Sequence, residues 1–150
     1  MPLLKRIAVF CGAHLGDSPK YAQAAEALAH ALADQQMGLV YGGDKIGLMS
    51  VLADTMLKRQ AEVIGVIPQF LVDRGIAHQH LTQLHVVNSM HERKAVMSEL
   101  ADGFILFVGG VGSLDEFFEL VSWGQLGLHQ KPCGILNVEH YFDHLIQFLN

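Results

Sequence analysis

The chain has 150 residues, 51% of them hydrophobic and 17% charged, which fits one globular domain with its own core and excludes a disordered segment. A formal net charge of −5 and a pI of about 5.9 argue against a nucleic-acid partner, whose phosphates would need a surface of Lys and Arg. No apolar run approaches the roughly 20 residues of a membrane span, so no membrane partner is expected.

The N-terminus, Met1-Pro2-Leu3-Leu4-Lys5-Arg6, carries no apolar signal-peptide core. Cys11 and Cys133 have no metal-ligand spacing and read as reduced thiols, so the cytoplasm is the expected compartment. A first strand is predicted over residues 7–11, ending at Gly12, followed by a helix over 19–36. A strand over 38–41 runs into Tyr41-Gly42-Gly43-Asp44-Lys45-Ile46-Gly47-Leu48-Met49, and a helix over 46–59 follows. Strands over 63–67 and 84–87 precede a helix over 90–101. A strand over 104–108 leads through a glycine turn into a helix over 114–128. A strand over 134–137 and a helix over 141–149 close the chain, which is expected to continue naturally beyond this apolar helical pattern. Strands of continuous apolar residues alternating with helices predict a parallel sheet covered on both faces, in one domain spanning residues 1–150.

Three of these strands end in glycine, at Gly12, at Gly42-Gly43 and at Gly109-Gly110. In a right-handed parallel sheet all three turns fall on the carboxyl edge, where ligands bind. The first turn holds only Gly12 and Gly16 rather than a dinucleotide fingerprint, which argues against NAD, and the Walker pattern is absent. The turn Gly109-Gly110-Val111-Gly112-Ser113, opening a helix, is built to present backbone N–H groups to an anion. Glu116 follows Ser113 by three residues, which reads either as a capping box or as a carboxylate placed for catalysis beside that anion.

Ser89 and Glu92 have capping-box spacing and start the next informative helix. At about 100° per residue, Met90, Val96, Met97, Leu100 and Ala101 form one apolar stripe, and Arg93 falls within it. An inward arginine needs an anion or a carboxylate, so Arg93 reads either as a buried ionic brace or as a ligand-facing group in the crevice. Lys94 stands at the edge of the stripe, facing the same anion or solvent. Glu116 lines up with Leu120 and Trp123 rather than with the solvated Asp115, Glu119 and Ser122. His78 with His80, and His140 with His144, have metal-compatible spacing but no third ligand, and surface histidine is the expectation. Met37, Met49, Met56, Met90 and Met97 are expected in the core or the pocket wall.

These motifs resemble one family. Gly109-Gly110-Val111-Gly112-Ser113-Leu114-Asp115-Glu116 resembles the P-G-G-x-G-T-x-x-E signature of the lonely-guy proteins, cytokinin riboside 5′-monophosphate phosphoribohydrolases long mislabelled lysine decarboxylases. Met90-His91-Glu92-Arg93-Lys94 resembles their M-H-x-R-K helix, and the turn from Tyr41 to Met49 resembles their Y-G-G-G-x-x-G-L-M motif. Trp123-Gly124-Gln125-Leu126-Gly127 and Lys131-Pro132 also fit, so the resemblance covers essentially the whole chain. Four positions depart from the pattern. Val108 stands for proline, Ser113 for threonine and Asp44 for the third glycine of the first motif, and Gly75 follows Arg74 where many relatives carry a glutamate.

The resemblance implies a Rossmann-like, doubly wound parallel sheet in three α/β/α layers, a homodimer, and hydrolysis of the base–ribose bond of a nucleoside 5′-monophosphate. It implies catalysis by Arg93 and Glu116. Gly42, Gly43, Met90, Lys94, Gly109, Gly110, Val111, Gly112, Ser113 and Asp115 are the expected substrate-binding positions. No metal and no organic cofactor is expected, and no lysine shows the setting of a pyridoxal Schiff base. The alternative is a non-catalytic carrier or sensor of a nucleotide-type ligand, which Asp44 and Gly75 favour. A purely structural dimerisation module would leave the inward Arg93 unexplained.

Overall fold

The computed structural model describes residues 3–150. Among them, six parallel strands form one sheet: β1 (Arg6–Phe10), β2 (Gly38–Tyr41), β3 (Val63–Pro68), β4 (Gln83–Val87), β5 (Gly103–Leu106) and β6 (Cys133–Ile135). Their spatial order is β4-β3-β2-β1-β5-β6. The chain therefore winds outward from β1 to β4, returns across the sheet to β5, and winds outward again. The register pairs Ala8 with Val40 on one side and with Phe104 on the other.

Alternation along the buried strands builds two cores. Ile7 and Val9 point to the face covered by α1 (Pro19–Asp34) and α2 (Gly47–Lys58), where they meet Ala25, Ala29, Leu52 and Met56. Ala8 and Phe10 point to the opposite face, covered by α4 (Met90–Leu100) and α5 (Val111–Gln125), where they meet Met97, Phe117 and Leu120. The inner strands β1, β2, β3 and β5 are buried on both faces, as unbroken apolar strands predict, while the edge strands β4 and β6 are largely exposed, and the layers are α/β/α.

Several boundaries differ from the sequence pattern. α3 (Gln69–Asp73) is an unforeseen single turn with no buried residue, too short to carry periodicity. β5 stops at Leu106, although Phe107 N–H still donates to Phe10 O at 2.8 Å and Gly12 N–H to Val108 O at 2.9 Å. α5 starts at Val111, three residues before the expected 114, because its first-turn N–H groups have no intrahelical partner and glycine costs little there. It ends at Gln125 in a Schellman motif around Gly127, whose φ is +81°. Leu128 N–H bonds Trp123 O and Gly127 N–H bonds Gly124 O. The same motif ends α1 and α2, but with glutamine at the left-handed position: Gln36 and Gln60 both have φ of 58°. α6 (Asp143–Leu149) begins two residues later than expected.

Candidate active site

The reversal between β1 and β5 opens a crevice at the carboxyl edge of the sheet, where ligands bind in doubly wound folds. A cavity of about 300 Å³ lies there. It is walled by the ends of β1 and β2 and by the first turns of α4 and α5, and it brings together Gly42, Asp44, Met90, Arg93, Ser113 and Glu116.

α4 is started by Ser89, whose hydroxyl accepts from Glu92 N–H at 3.0 Å. The return arm of the box goes one residue further out, since Glu92 accepts from Asn88 N–H at 2.9 Å. This start orients Arg93 inward, and it is 5% exposed. The guanidinium hydrogen-bonds no carboxylate among the described residues. Its Nε donates to Val66 O at 2.9 Å and its Nη2 to Gly42 O at 2.6 Å, so it caps the carbonyls at the ends of β3 and β2. Gly42 is glycine for this reason, because a Cβ there would fall on Nη2.

Glu116 reaches the same cavity from the second turn of α5. Its Oε2 lies 4.0 Å from Arg93 Nε, yet this oxygen is buried with no hydrogen-bond partner among the described residues. Burial pushes the carboxyl above its ordinary range, against the opposing pull of Arg93 and Lys94. The Ser113–Glu116 capping box does not form. Ser113 is the third residue of α5 rather than its cap, and Gly110, which has no side chain, occupies the cap position. Asp44 is 5% exposed and its Oδ1 is likewise buried without a partner. Its carboxyl too is raised by burial, with Arg93 pulling the other way.

The α5 terminus fits an anion. No side chain caps it, and its first hydrogen bond closes only at Leu114 N–H to Gly110 O, 3.1 Å. A Cβ at Gly110 or Gly112 would meet nothing within 4 Å, and both residues line the cavity. Gly109 lies behind the turn, pressed against Ser113 and Gly12, and its carbonyl accepts from Tyr141 Oη at 2.6 Å.

Other expected positions fall outside the cavity wall. Lys94 faces neither an anion in the crevice nor solvent: it is 4% exposed and its Nζ pairs with Glu119 at 2.6 Å and Asp115 at 2.9 Å. Lys94 and Asp115 thus strap α4 to α5, a pairing between distant residues that periodicity cannot report. Gly43, with φ +80°, packs its backbone against Ile67 and Leu84, and Val111 faces outward. Met49 lines the cavity, as expected of a core or pocket-wall methionine, whereas Cys11, His14 and Leu71 are lining residues that were not foreseen; of these only Cys11 and His14 had a signal, their closeness to the Gly12 turn. Burial pushes the Cys11 thiol up, with Glu116 and Asp44 adding to the effect.

His78 departs from the expected surface histidine. It is 9% exposed, and its Nε2 lies 2.7 Å from Asp54 Oδ1 while its Nδ1 accepts from His80 N–H. Among the described residues, no group of three or more His, Cys, Asp or Glu side chains is placed to hold a metal ion, and no helix is long and apolar enough to cross a membrane.

The family described as "possible lysine decarboxylase" matches residues 49–150. A cytokinin riboside 5′-monophosphate phosphoribohydrolase of Rhodococcoides fascians is 48% identical over 149 residues, which are 99% of this chain and 75% of that protein. The enzyme of that name LOG7 of Arabidopsis thaliana is 42% identical over 97% of this chain and 67% of its own length. Among solved structures, the molybdenum cofactor binding protein of Rippkaea orientalis superposes with a TM-score of 0.73 over 97% of this chain and 83% of its own, at 21% identity, a likeness of fold alone. With this fold, this crevice and identity near one half along almost its whole length, the chain belongs to the lonely-guy family.

Proposed function

We propose that this chain hydrolyses the N-glycosidic bond of a nucleoside 5′-monophosphate, AMP or a cytokinin riboside monophosphate, to the free base and ribose 5-phosphate. The observation that carries it is the buried, unpartnered Glu116 carboxyl set beside Arg93 and one turn from an open helix N-terminus. The names of the relatives point the same way.

The N–H groups of Gly112 and Ser113 hold the phosphate at the α5 terminus, leaving the ribose beneath Glu116. Bond cleavage passes through an oxocarbenium-like state with positive charge on the ribose. A carboxylate that is poorly solvated before reaction gains most when that charge develops, so its interaction is stronger in the transition state than with substrate. Glu116 also orients the attacking water and takes its proton. Arg93, with Nε and Nη2 committed to backbone carbonyls, presents a fixed positive charge that positions the nucleotide.

The carrier alternative draws little from Gly75. That residue has φ +75° and open space around it, which suits a turn glycine rather than a site stripped of function. The same reading places the protein in the cytoplasm as a homodimer. Support for a second copy comes from Leu126 and Leu128, which are 73% and 69% exposed beyond α5, and from Phe148, 84% exposed on α6. Light scattering at micromolar concentration checks the dimer, and a monomer there overturns it. The activity test is incubation with AMP and chromatography for adenine. Equal release from adenosine, or none from AMP and from the cytokinin nucleotides, rejects the proposal.

A further inference from the structure

Asp44 stands where the family motif has glycine, and nothing in the activity described above uses it. We propose that Asp44 is the general acid of this chain, delivering a proton to a ring nitrogen of the departing base. This rests on the hydrolase reading given under Proposed function.

The placement is rigid. Tyr41 Oη donates to the Asp44 backbone carbonyl at 3.0 Å, and Asp44 pairs with Ala77 in an isolated antiparallel bridge. On either side, His78 N–H donates to Gly43 O at 2.8 Å and Lys45 N–H to Ile76 O at 2.9 Å. The backbone is therefore stitched across its whole turn while the carboxyl is left with a buried, unpartnered Oδ1 in the cavity. A buried acceptor without a partner is costly, so the arrangement is built for a group that arrives with the ligand.

The neighbours assign the two carboxyls different roles. Arg93 from α4, Glu116 from α5, Cys11 at the end of β1 and His14 in the turn after it are the charged or titratable groups that share the cavity with Asp44. Arg93 directs Nε and Nη2 to Val66 O and Gly42 O and makes no ion pair with Asp44. Burial pushes both carboxyls up, and Asp44 adds to the rise at Glu116. Two like charges in one cavity favour a shared proton, and its place at the base end makes Asp44 the group that delivers it.

Distance along the sheet decides which part of the ligand Asp44 meets. The phosphate turn follows β5 and Asp44 follows β2, with β1 between them. Two strand spacings are about 10 Å, which separates Asp44 from the phosphate and sets it at the base end of a nucleotide. Met49, Met90 and Leu71 supply an apolar wall to the same cavity. In the reaction, the bond between C1′ and the base nitrogen breaks and its electron pair passes to the base. The Asp44 proton moves to a ring nitrogen, so the base leaves neutral. Water adds to C1′ and gives its proton to Glu116; Glu116 then releases a proton to solvent and Asp44 takes one up, which restores both groups.

A leaving group that already carries positive charge does not need this acid. The test compares AMP with 7-methyl-AMP, whose base is cationic before cleavage, using the full chain and Asp44→Asn. The expected result is a loss of about 10²- to 10⁴-fold in kcat on AMP and little change on 7-methyl-AMP. Asp44→Glu, which restores a carboxyl, should recover part of the AMP rate. An equal loss on both substrates, full activity of Asp44→Asn on AMP, or failure of the wild type to cleave 7-methyl-AMP while it cleaves AMP overturns the assignment. Asp44→Ala repeats the comparison if the asparagine variant does not fold. Release of base from neither nucleotide by the wild type, with no release from cytokinin nucleotides, sinks the hydrolase reading itself.

Discussion

Arg93 Nε and Glu116 Oε2 stand 4.0 Å apart without a hydrogen bond, because Nε donates instead to Val66 O at 2.9 Å. The pair is close enough for each charge to feel the other and too far apart for either to be quenched. Lys94, one residue beyond Arg93, grips Asp115 and Glu119 on either side of Glu116 in sequence. This strap sets how closely α4 and α5 approach, and with it the separation of Arg93 from Glu116.

Glu116→Gln is expected to lower turnover by about 10²-fold or more, the range for loss of a positioned acid–base group, while the protein stays folded. Arg93→Lys keeps the charge but cannot reach both carbonyls with a planar fork, so it should lose activity and some stability. Arg93→Ala leaves Val66 O and Gly42 O unpaired and should cost about 1–3 kcal/mol for each buried group abandoned. Steady-state kinetics together with thermal melts of all three variants check this.

The same glutamate should make stability depend on pH with an acid-favouring sign. Its folded value lies above the unfolded one because burial disfavours the charge. Between those two values the native state holds a proton that the unfolded state has lost, so stability falls as pH rises through that window. Glu116→Gln removes this penalty. Its melting temperature should exceed that of the wild type at pH 7.5, with a smaller gain at pH 4.5. A gain independent of pH would contradict the burial argument.

Gly112→Asp tests the phosphate turn. Space around Gly112 is open, so the fold should tolerate the side chain, and its melting temperature should change little. The carboxylate would stand where the phosphate binds, raising KM for AMP at least tenfold, about 1.4 kcal/mol of binding. Adenosine, which lacks the phosphate, should be cleaved poorly by both proteins.

Lys94→Met discriminates a strap from a substrate contact. Loss of the two ion pairs, whose carboxylates are partly exposed, should cost about 1 kcal/mol or less. Turnover should fall through kcat as Glu116 drifts from Arg93. A rise in KM alone would mean that Lys94 meets the substrate after all.

Gln36→Gly and Gln60→Gly should each stabilise the protein. Both glutamines sit at φ 58° in Schellman caps, where a side chain costs about 1–2 kcal/mol and glycine nothing. Part of that gain is offset by the greater freedom of glycine in the unfolded chain, leaving about 0.5–1 kcal/mol, measurable by denaturant unfolding.

The local pattern carried the fold class and part of the site. Continuous apolar strands between helices required a sheet covered on both faces, and glycine after β1, β2 and β5 marked its ligand edge. Arg93 was legible as inward because the apolar stripe of its own helix contains it, and Glu116 because its helical neighbours are Leu120 and Trp123. These are statements about one element at a time, and a period of 3.6 or 2 reports them directly. The partners of those side chains were not legible. Arg93 meets Gly42, 51 residues away, and Lys94 meets Glu119, 25 residues away, because the crossover to β5 lays α4 beside α5. His78 looked like a surface residue until α2 brought Asp54 against it, and Asp44 was legible as a departure from the glycine motif but not as a buried carboxyl without a partner. Sequence determined which faces turn inward, since that follows from the backbone period; tertiary structure decided which charges are paired and which are left free, since that depends on contacts between elements distant along the chain.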